Sequence, residues 1–296
     1  ANFPVDADGR TYHTFTRIGE IANRVVCVGC YIRATTLAEL YFDNKKYFTV
    51  RADRGFVIHT GLFKGVPITI IGTGMGFPLT DFTIRELRYC CTGEMAFIRV
   101  GTCGSFNPTV PIGNLAVPTK GIRAITRNVN AFLPKNKDME PYLISDTIYM
   151  DKTLTDALHK NLVKYAGKDN VLEAHCGSAD SFYSSQGRTM DYFEDRLDGF
   201  HDILAKKKIV IDSLEMESFQ MAHLAMCSKP KFKVIASCCA CILATRLNDK
   251  FVSKALQKKR IAQGGQAAFI TLAEYKIQNE MDEDRCIWKH LDKEQK

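Results

Sequence analysis

Short apolar runs alternate with stretches of helical spacing from Arg24 to Asn279. That rhythm predicts an α/β fold, a central mixed and mostly parallel sheet flanked by helices. Strands are expected at 24–28, 56–63, 66–71, 95–100, 114–118, 171–177, 209–212 and 232–244. The pair 56–63 and 66–71 reads as a hairpin turning at Lys64-Gly65. Helices are expected at 35–42, at 78–91 with Pro78 in the first turn where its missing N–H is harmless, at 153–166, and from about Ile211 to Cys227. A last helical stretch, 250–279, is interrupted by Gly264-Gly265. Residues 120–141 are polar and without pattern, a long surface loop of the sort that often covers a site. No repeat, linker or composition break divides the chain, so one domain spans 1–296, with an N-terminal arm at 1–20 and a charged tail at 280–296.

Composition narrows the function classes. A chain of 296 residues, 46% of them hydrophobic, can bury a large core. Its net charge of +7 is mild, and the densest basic run, Lys206-Lys207-Lys208, has no interleaved aromatics, so no nucleic-acid partner is expected. No apolar stretch approaches the ~20 residues of a membrane span, and the first residues carry no apolar signal core. Most of the eleven cysteines, including Cys27, Cys90-Cys91 and Cys238-Cys239, lie inside apolar runs. They fit thiols in a reducing cytoplasm. Cys27 with Cys30 and Cys238 with Cys241 have zinc-like spacing, but both pairs sit in β-like runs rather than polar turns, and no metal site is expected.

Three segments carry candidate chemistry. Gly72-Thr73-Gly74-Met75-Gly76-Phe77-Pro78 invites a dinucleotide-binding reading but fails it, since Phe77 stands where the third glycine belongs and no ribose-binding acid follows. The glycines let a strand turn tightly into a helix. In Arg99-Val100-Gly101-Thr102-Cys103-Gly104-Ser105 an apolar strand ends in a guanidinium, a hydroxyl and two glycines, the outline of an anion site. An arginine tied to a nearby carboxylate is an equal reading of that motif. Gly29 with Arg33 repeats the design at the head of a helix. In Asp212-Ser213-Leu214-Glu215-Met216-Glu217-Ser218, Asp212 and Glu215 have capping-box spacing. On a helix, Glu217 then points to nearly the opposite side from Glu215, and its burial requires a partner for which the hydroxyls of a ribose are suited.

Taken in order, these motifs resemble the nucleoside phosphorylase family of the hexameric bacterial purine and uridine enzymes, and its uridine members most of all. The resemblance runs from about His13 to the helix beyond Arg246. Its most specific pieces are Arg99-Val100-Gly101-Thr102-Cys103-Gly104 and Glu215-Met216-Glu217-Ser218. It implies that Gly29, Arg33, Arg99 and Thr102 hold phosphate within one subunit and that Arg54 is lent to the phosphate of a neighbouring subunit. It implies ribose contacts from Met216 and Glu217, and from His13 of a neighbour at the 5′-hydroxyl. Phe182, Gln186 and Arg188 match the residues that stack on and read uracil, and Arg246 an arginine near the base. The purine enzymes have an acid at about the place of Leu243, so pyrimidine is favoured.

Two departures stand out. Cys30-Tyr31 replace the family's usual acid and proline between Gly29 and Arg33. Gly55 stands where a bacterial uridine enzyme has a glutamate that helps to hold an interface cation, so the resemblance leaves both that cation and the choice between dimer and hexamer open. The resemblance thus implies a pentosyltransferase without a cofactor, in at least a homodimer, in which orthophosphate cleaves uridine to uracil and ribose 1-phosphate. Arg99, Glu217 and Arg188 are its expected catalytic residues. The alternatives are a nucleosidase, a purine nucleoside phosphorylase of the same family, or a non-catalytic nucleoside-binding relative.

Overall fold

The computed structural model describes residues 3–188, 190–246 and 251–291. In chain order the first half contains β1 (Arg24–Val28), α1 (Tyr31–Tyr41), β2 (Tyr47–Arg51), β3 (Val57–Phe63), β4 (Val66–Gly72), α2 (Phe77–Tyr89) and β5 (Met95–Ser105). There follow β6 (Leu115–Val117), β7 (Ile122–Arg127), β8 (Tyr142–Ile144), α3 (Lys152–Ala166), β9 (Val171–Glu173), β10 (Cys176–Ala179), α4 (Leu197–Lys206), β11 (Ser213–Glu215), α5 (Ser218–Met226), β12 (Val234–Thr245) and α6 (Lys254–Glu274). The described strands join in one sheet of order β2-β3-β4-β1-β5-β11-β10-β7-β8, with β12 also on β5 and leading to β6 and β9.

The centre of the sheet is parallel. β1 pairs with β4 and β5, and β12 pairs with nearly the whole of β5. Every residue of β1 is buried, as expected of an apolar strand covered on both faces. The outer strands β2, β3 and β8 pair antiparallel. On one face α1, α3 and α6 cover Val26, Ile98 and Val100 with Leu37, Leu158 and Phe269; on the other, α2 and α5 cover Val25 and Phe97 with Leu87 and Met221.

Several expectations are corrected. Residues 120–141 are not a plain loop but contain β7, whose burial comes from its distant partners β10 and β8. The stretch 171–177 is two strands on different branches, β9 on β6 and β10 on β7 and β11. The strand expected at 209–212 lies downstream as β11, and α5 begins at Ser218 rather than near Ile211. β2 and α4 were not anticipated.

α6 runs through Gly264-Gly265 without a break; the expected Lys250 start lies outside the described residues. A Cβ on Gly265 would meet the Leu37 side chain at 2.7 Å, and one on Gly264 would meet Val100 at 3.1 Å. Each glycine costs the helix about 1 kcal/mol relative to alanine. In return the helix lies close on α1 and β5. The expected charged tail is also packed over its described part: Met281, Cys286 and Trp288 are buried, and the Ile287 N–H donates to the Gly19 carbonyl at 2.8 Å. Residues 292–296 lie outside the described residues.

Candidate functional site

The parallel register of β1 and β5 sets Cys27 beside Arg99 and Val28 beside Val100, so β1 ends while β5 runs on to Ser105. Gly29 and Arg33 leave one, and Gly101 and Thr102 continue the other. Both line a cavity of about 390 Å³, which also takes in Met216, Glu217, Phe182, Gln186, Arg188 and Arg246. Ten of the residues singled out from the sequence therefore share one hollow, although they are spread from position 29 to position 246.

Arg99 is its electrostatic centre. The guanidinium is 5% exposed, its Nη2 donates to Glu217 and its Nε to Glu215 at 3.3 Å. Burial works to lower its pKa, but the two carboxylates outweigh burial and raise it, so the charge is secure. Nη1 is buried and has no hydrogen-bond partner among the described residues. A buried donor left unpaired costs about 1–3 kcal/mol, and here it lies on a guanidinium that lines the cavity. The carboxylate reading of the motif therefore holds, and Arg99 keeps one unpaired nitrogen besides. Arg33, whose pKa burial pushes down, has no hydrogen-bond partner among the described residues. Gly29 leaves room beside it.

The two glutamates correct the sequence reading. Glu215 is on β11 and Glu217 at the N-cap position of α5, so helical phase does not separate them, and both reach Arg99. Asp212 and Glu215 form no capping box. Asp212 accepts from the Asn107 side chain at 2.9 Å and the His175 N–H at 2.8 Å. Glu215 itself takes the N–H groups of Glu217 and Ser218, both at 3.0 Å, and the Ser178 hydroxyl. A carboxylate accepting the first free donors of a helix is favourable there. Nor does Glu217 need a ribose to offset its burial, because Arg99 and the Gly76 N–H, 2.6 Å away, already partner it. Burial raises its pKa, Arg99 opposes that shift and Glu215 adds to it. The Gly74-Met75-Gly76 turn rejected as a nucleotide fingerprint thus contributes a backbone donor to this acid.

At the other end Gln186 is 2% exposed, and its Oε1 accepts from Arg246 at 2.8 Å and Arg188 at 3.0 Å. Arg246 also donates to the Gln186 carbonyl at 3.1 Å. It occupies the space that Gly104 leaves, where a Cβ would lie 2.6 Å from the guanidinium. With its oxygen engaged twice, Gln186 presents its NH₂. Arg188 lies 3.6 Å over the Phe182 ring, covering one face of it. Burial and the like charge of Arg246 push the Arg188 pKa down to about 10. Leu243 lines this part of the wall.

Arg54 and His13 are elsewhere. They line a separate cleft of about 400 Å³ together with Tyr12 and Asp53. Arg54 donates to the Tyr12 hydroxyl at 3.1 Å and lies 4.8 Å over its ring. The sequence reading missed Cys30, Met75 and Phe251 on the cavity wall and set Glu215 aside. The capping-like spacing from Asp212 hid Glu215; its repeat two residues before Glu217 was the available signal.

Residues 23–275 match the family model described as the phosphorylase superfamily. The chain belongs to this family. Uridine phosphorylase of Thermococcus kodakarensis is 28% identical to this superfamily member over 293 residues, 96% of this chain and 92% of that one. A DeoD-type purine nucleoside phosphorylase of Streptococcus uberis is 27% identical over 72% of this chain and 78% of its own. Among solved structures, a uridine phosphorylase of the oomycete Phytophthora capsici superposes with a TM-score of 0.87 at 32% identity, over 93% of this chain and 98% of that one. A Trypanosoma brucei nucleoside phosphorylase shares the fold at 19% identity, with a TM-score of 0.76. The expected α/β architecture is thus that of the superfamily. No helix among the described residues is long and apolar enough to cross a membrane.

Proposed function

We propose that this protein is a uridine phosphorylase, a cytoplasmic pentosyltransferase that converts uridine and orthophosphate reversibly to uracil and ribose 1-phosphate without a cofactor. The observation that carries the reading is Arg99, with its unpaired, buried Nη1, lining the same cavity as Glu217 and the Gln186, Arg188 and Arg246 cluster. An anion, a sugar and a base held in one hollow are the three parts of a nucleoside undergoing phosphorolysis.

Orthophosphate sits between Arg33, Arg99, Thr102 and the Gly29 backbone, with Arg54 from a second protomer. Glu217 and Met216 hold the ribose, with His13 of that protomer at the 5′-hydroxyl. A phosphate oxygen forms a bond to C1′ as the C1′–N1 bond breaks, and the electron pair leaves with uracil. Arg188 and the Gln186 NH₂ stabilise the charge that grows on uracil, and a proton from solvent completes the product. The transition state is oxocarbenium-like, as in glycosidases, and the gain comes from positioning and charge complementarity. Leu243 favours uracil because it offers no acid to protonate a purine.

The test incubates the protein with uridine, inosine or adenosine, each with and without phosphate, and measures free base and ribose 1-phosphate. Phosphate-dependent uracil release with stoichiometric ribose 1-phosphate is expected. Release without phosphate would make it a nucleosidase, preference for inosine or adenosine a purine enzyme, and no release from any nucleoside a binding protein.

A further inference from the structure

α2 bears a carboxylate whose environment is unusual for a helix that otherwise serves as cover. Glu86 is 4% exposed and does not line the central cavity. Its two oxygens take the His13 N–H at 3.1 Å, the Thr14 N–H at 2.7 Å, the Thr14 hydroxyl at 2.9 Å and the His13 Nδ1 at 2.6 Å. The side chain thus gathers the N-terminal arm at one point. The backbone and hydroxyl donors would suffice to anchor the arm. The contact to the imidazole does something more.

We propose that Glu86 is a positioning residue that fixes His13 as the Nδ1–H tautomer, so that Nε2 faces outward to accept the 5′-hydroxyl of a nucleoside in a neighbouring protomer. The inference rests on the reading of His13 given above. As a carboxylate Glu86 can only accept, so the Nδ1 that meets it at 2.6 Å carries the proton, and in the neutral ring Nε2 keeps a lone pair. The ring plane is fixed as well. It stacks on Phe82 with centroids 3.8 Å apart and 6° between planes, and meets Tyr12 edge-on at 5.1 Å. Phe82 and Glu86 are four residues apart and therefore share one face of α2. Nε2 has no partner among the described residues, the side chain keeps 21% exposure, and His13 is among the residues that line the cleft with Arg54. An imidazole held at its edge and face, with its second nitrogen unpartnered among the described residues, is preorganised to meet a hydroxyl.

Uridine and 5′-deoxyuridine together isolate this effect, because only the first has the 5′-hydroxyl. kcat and KM are measured for both with the wild type, Glu86→Gln, His13→Ala and the double variant. His13→Ala should erase most of the preference for uridine. Glu86→Gln should lower the uridine to 5′-deoxyuridine ratio of kcat/KM roughly tenfold, as loss of an orienting partner does elsewhere, and the double variant should fall no further. A ratio untouched by Glu86→Gln but lowered by His13→Ala overturns the proposal and leaves the reading of His13 intact. A ratio untouched by His13→Ala removes that reading and the proposal with it. Ring ¹⁵N shifts of histidine-labelled protein give an answer independent of turnover: a proton on Nδ1 of neutral His13 is expected, and one on Nε2 overturns the assignment.

Discussion

In the central cavity Arg99 and Glu215 are set on paired strands, whereas in the outer cleft Arg54 hangs from a turn and His13 from the N-terminal arm. Arg99 is placed by the register of β5 against β1 and β12 and is tied by two buried carboxylates. Arg54 lies over the exposed Tyr12, and His13 is oriented by Glu86 and Phe82 of α2 and by Tyr12. The first set is complete within one chain. The second lines a cleft that shares no residue with the central cavity. Rigidity in the one region comes from the sheet, and in the other from a handful of hydrogen bonds.

The largest effect should come from the sheet-held region. Arg99→Ala removes the proposed phosphate donor and leaves Glu215 and Glu217 buried without their cation. Uridine phosphorolysis should drop roughly a hundred- to a thousandfold in kcat/KM. Stability should drop by about 3–5 kcal/mol, the usual cost of orphaning a buried ion pair. Steady-state assays and urea unfolding check the two halves; near-normal turnover would sink the phosphate assignment.

A smaller effect separates the two regions directly. Arg33→Ala disables the cavity of its own protomer, and Arg54→Ala disables the contribution made to a neighbour. If Arg54 is lent, mixing the two weak variants after dissociation should restore about a quarter of wild-type activity, since random pairing leaves one site in four intact. Mixtures no better than their parents would place Arg54 outside the reaction.

The mildest change concerns the base end. Burial and the neighbouring Arg246 push the Arg188 pKa down to about 10, so on its proposed role the charge facing departing uracil is complete at neutral pH and fades as pH rises through about 10. kcat/KM for uridine should fall along that limb. Arg246→Leu removes a neighbouring positive charge and should move the limb to higher pH; a limb that stays in place in this variant excludes Arg188 as its origin.

How much of this was legible in the sequence follows the same division. β1, the β3–β4 hairpin, β5 and β12 announce themselves because strands buried on both faces are continuous apolar runs. β7 does not, since Ile-Arg-Ala-Ile-Thr-Arg is half polar and becomes a strand only through partners far along the chain. At the site, Arg99 and Glu217 were visible as types of residue, but their mutual contact was not. The local signal placed Glu217 inside a helix that in fact begins one residue later, and that small error of phase reversed the relation between the two glutamates. The preoccupation of the Gln186 oxygen by two arginines joins residues sixty positions apart, and no spacing rule reveals it.

The packed segment around Met281 and Trp288 bears on how the molecule is made. Its Ile287 N–H closes on Gly19, beside the Glu20 carboxylate that grips Arg10 at 2.8 Å. During synthesis, residues 281–288 leave the ribosome after everything they clasp. The clasp on Gly19 therefore closes last, whereas the hold of Glu86 on His13 and Thr14 needs nothing made after α2.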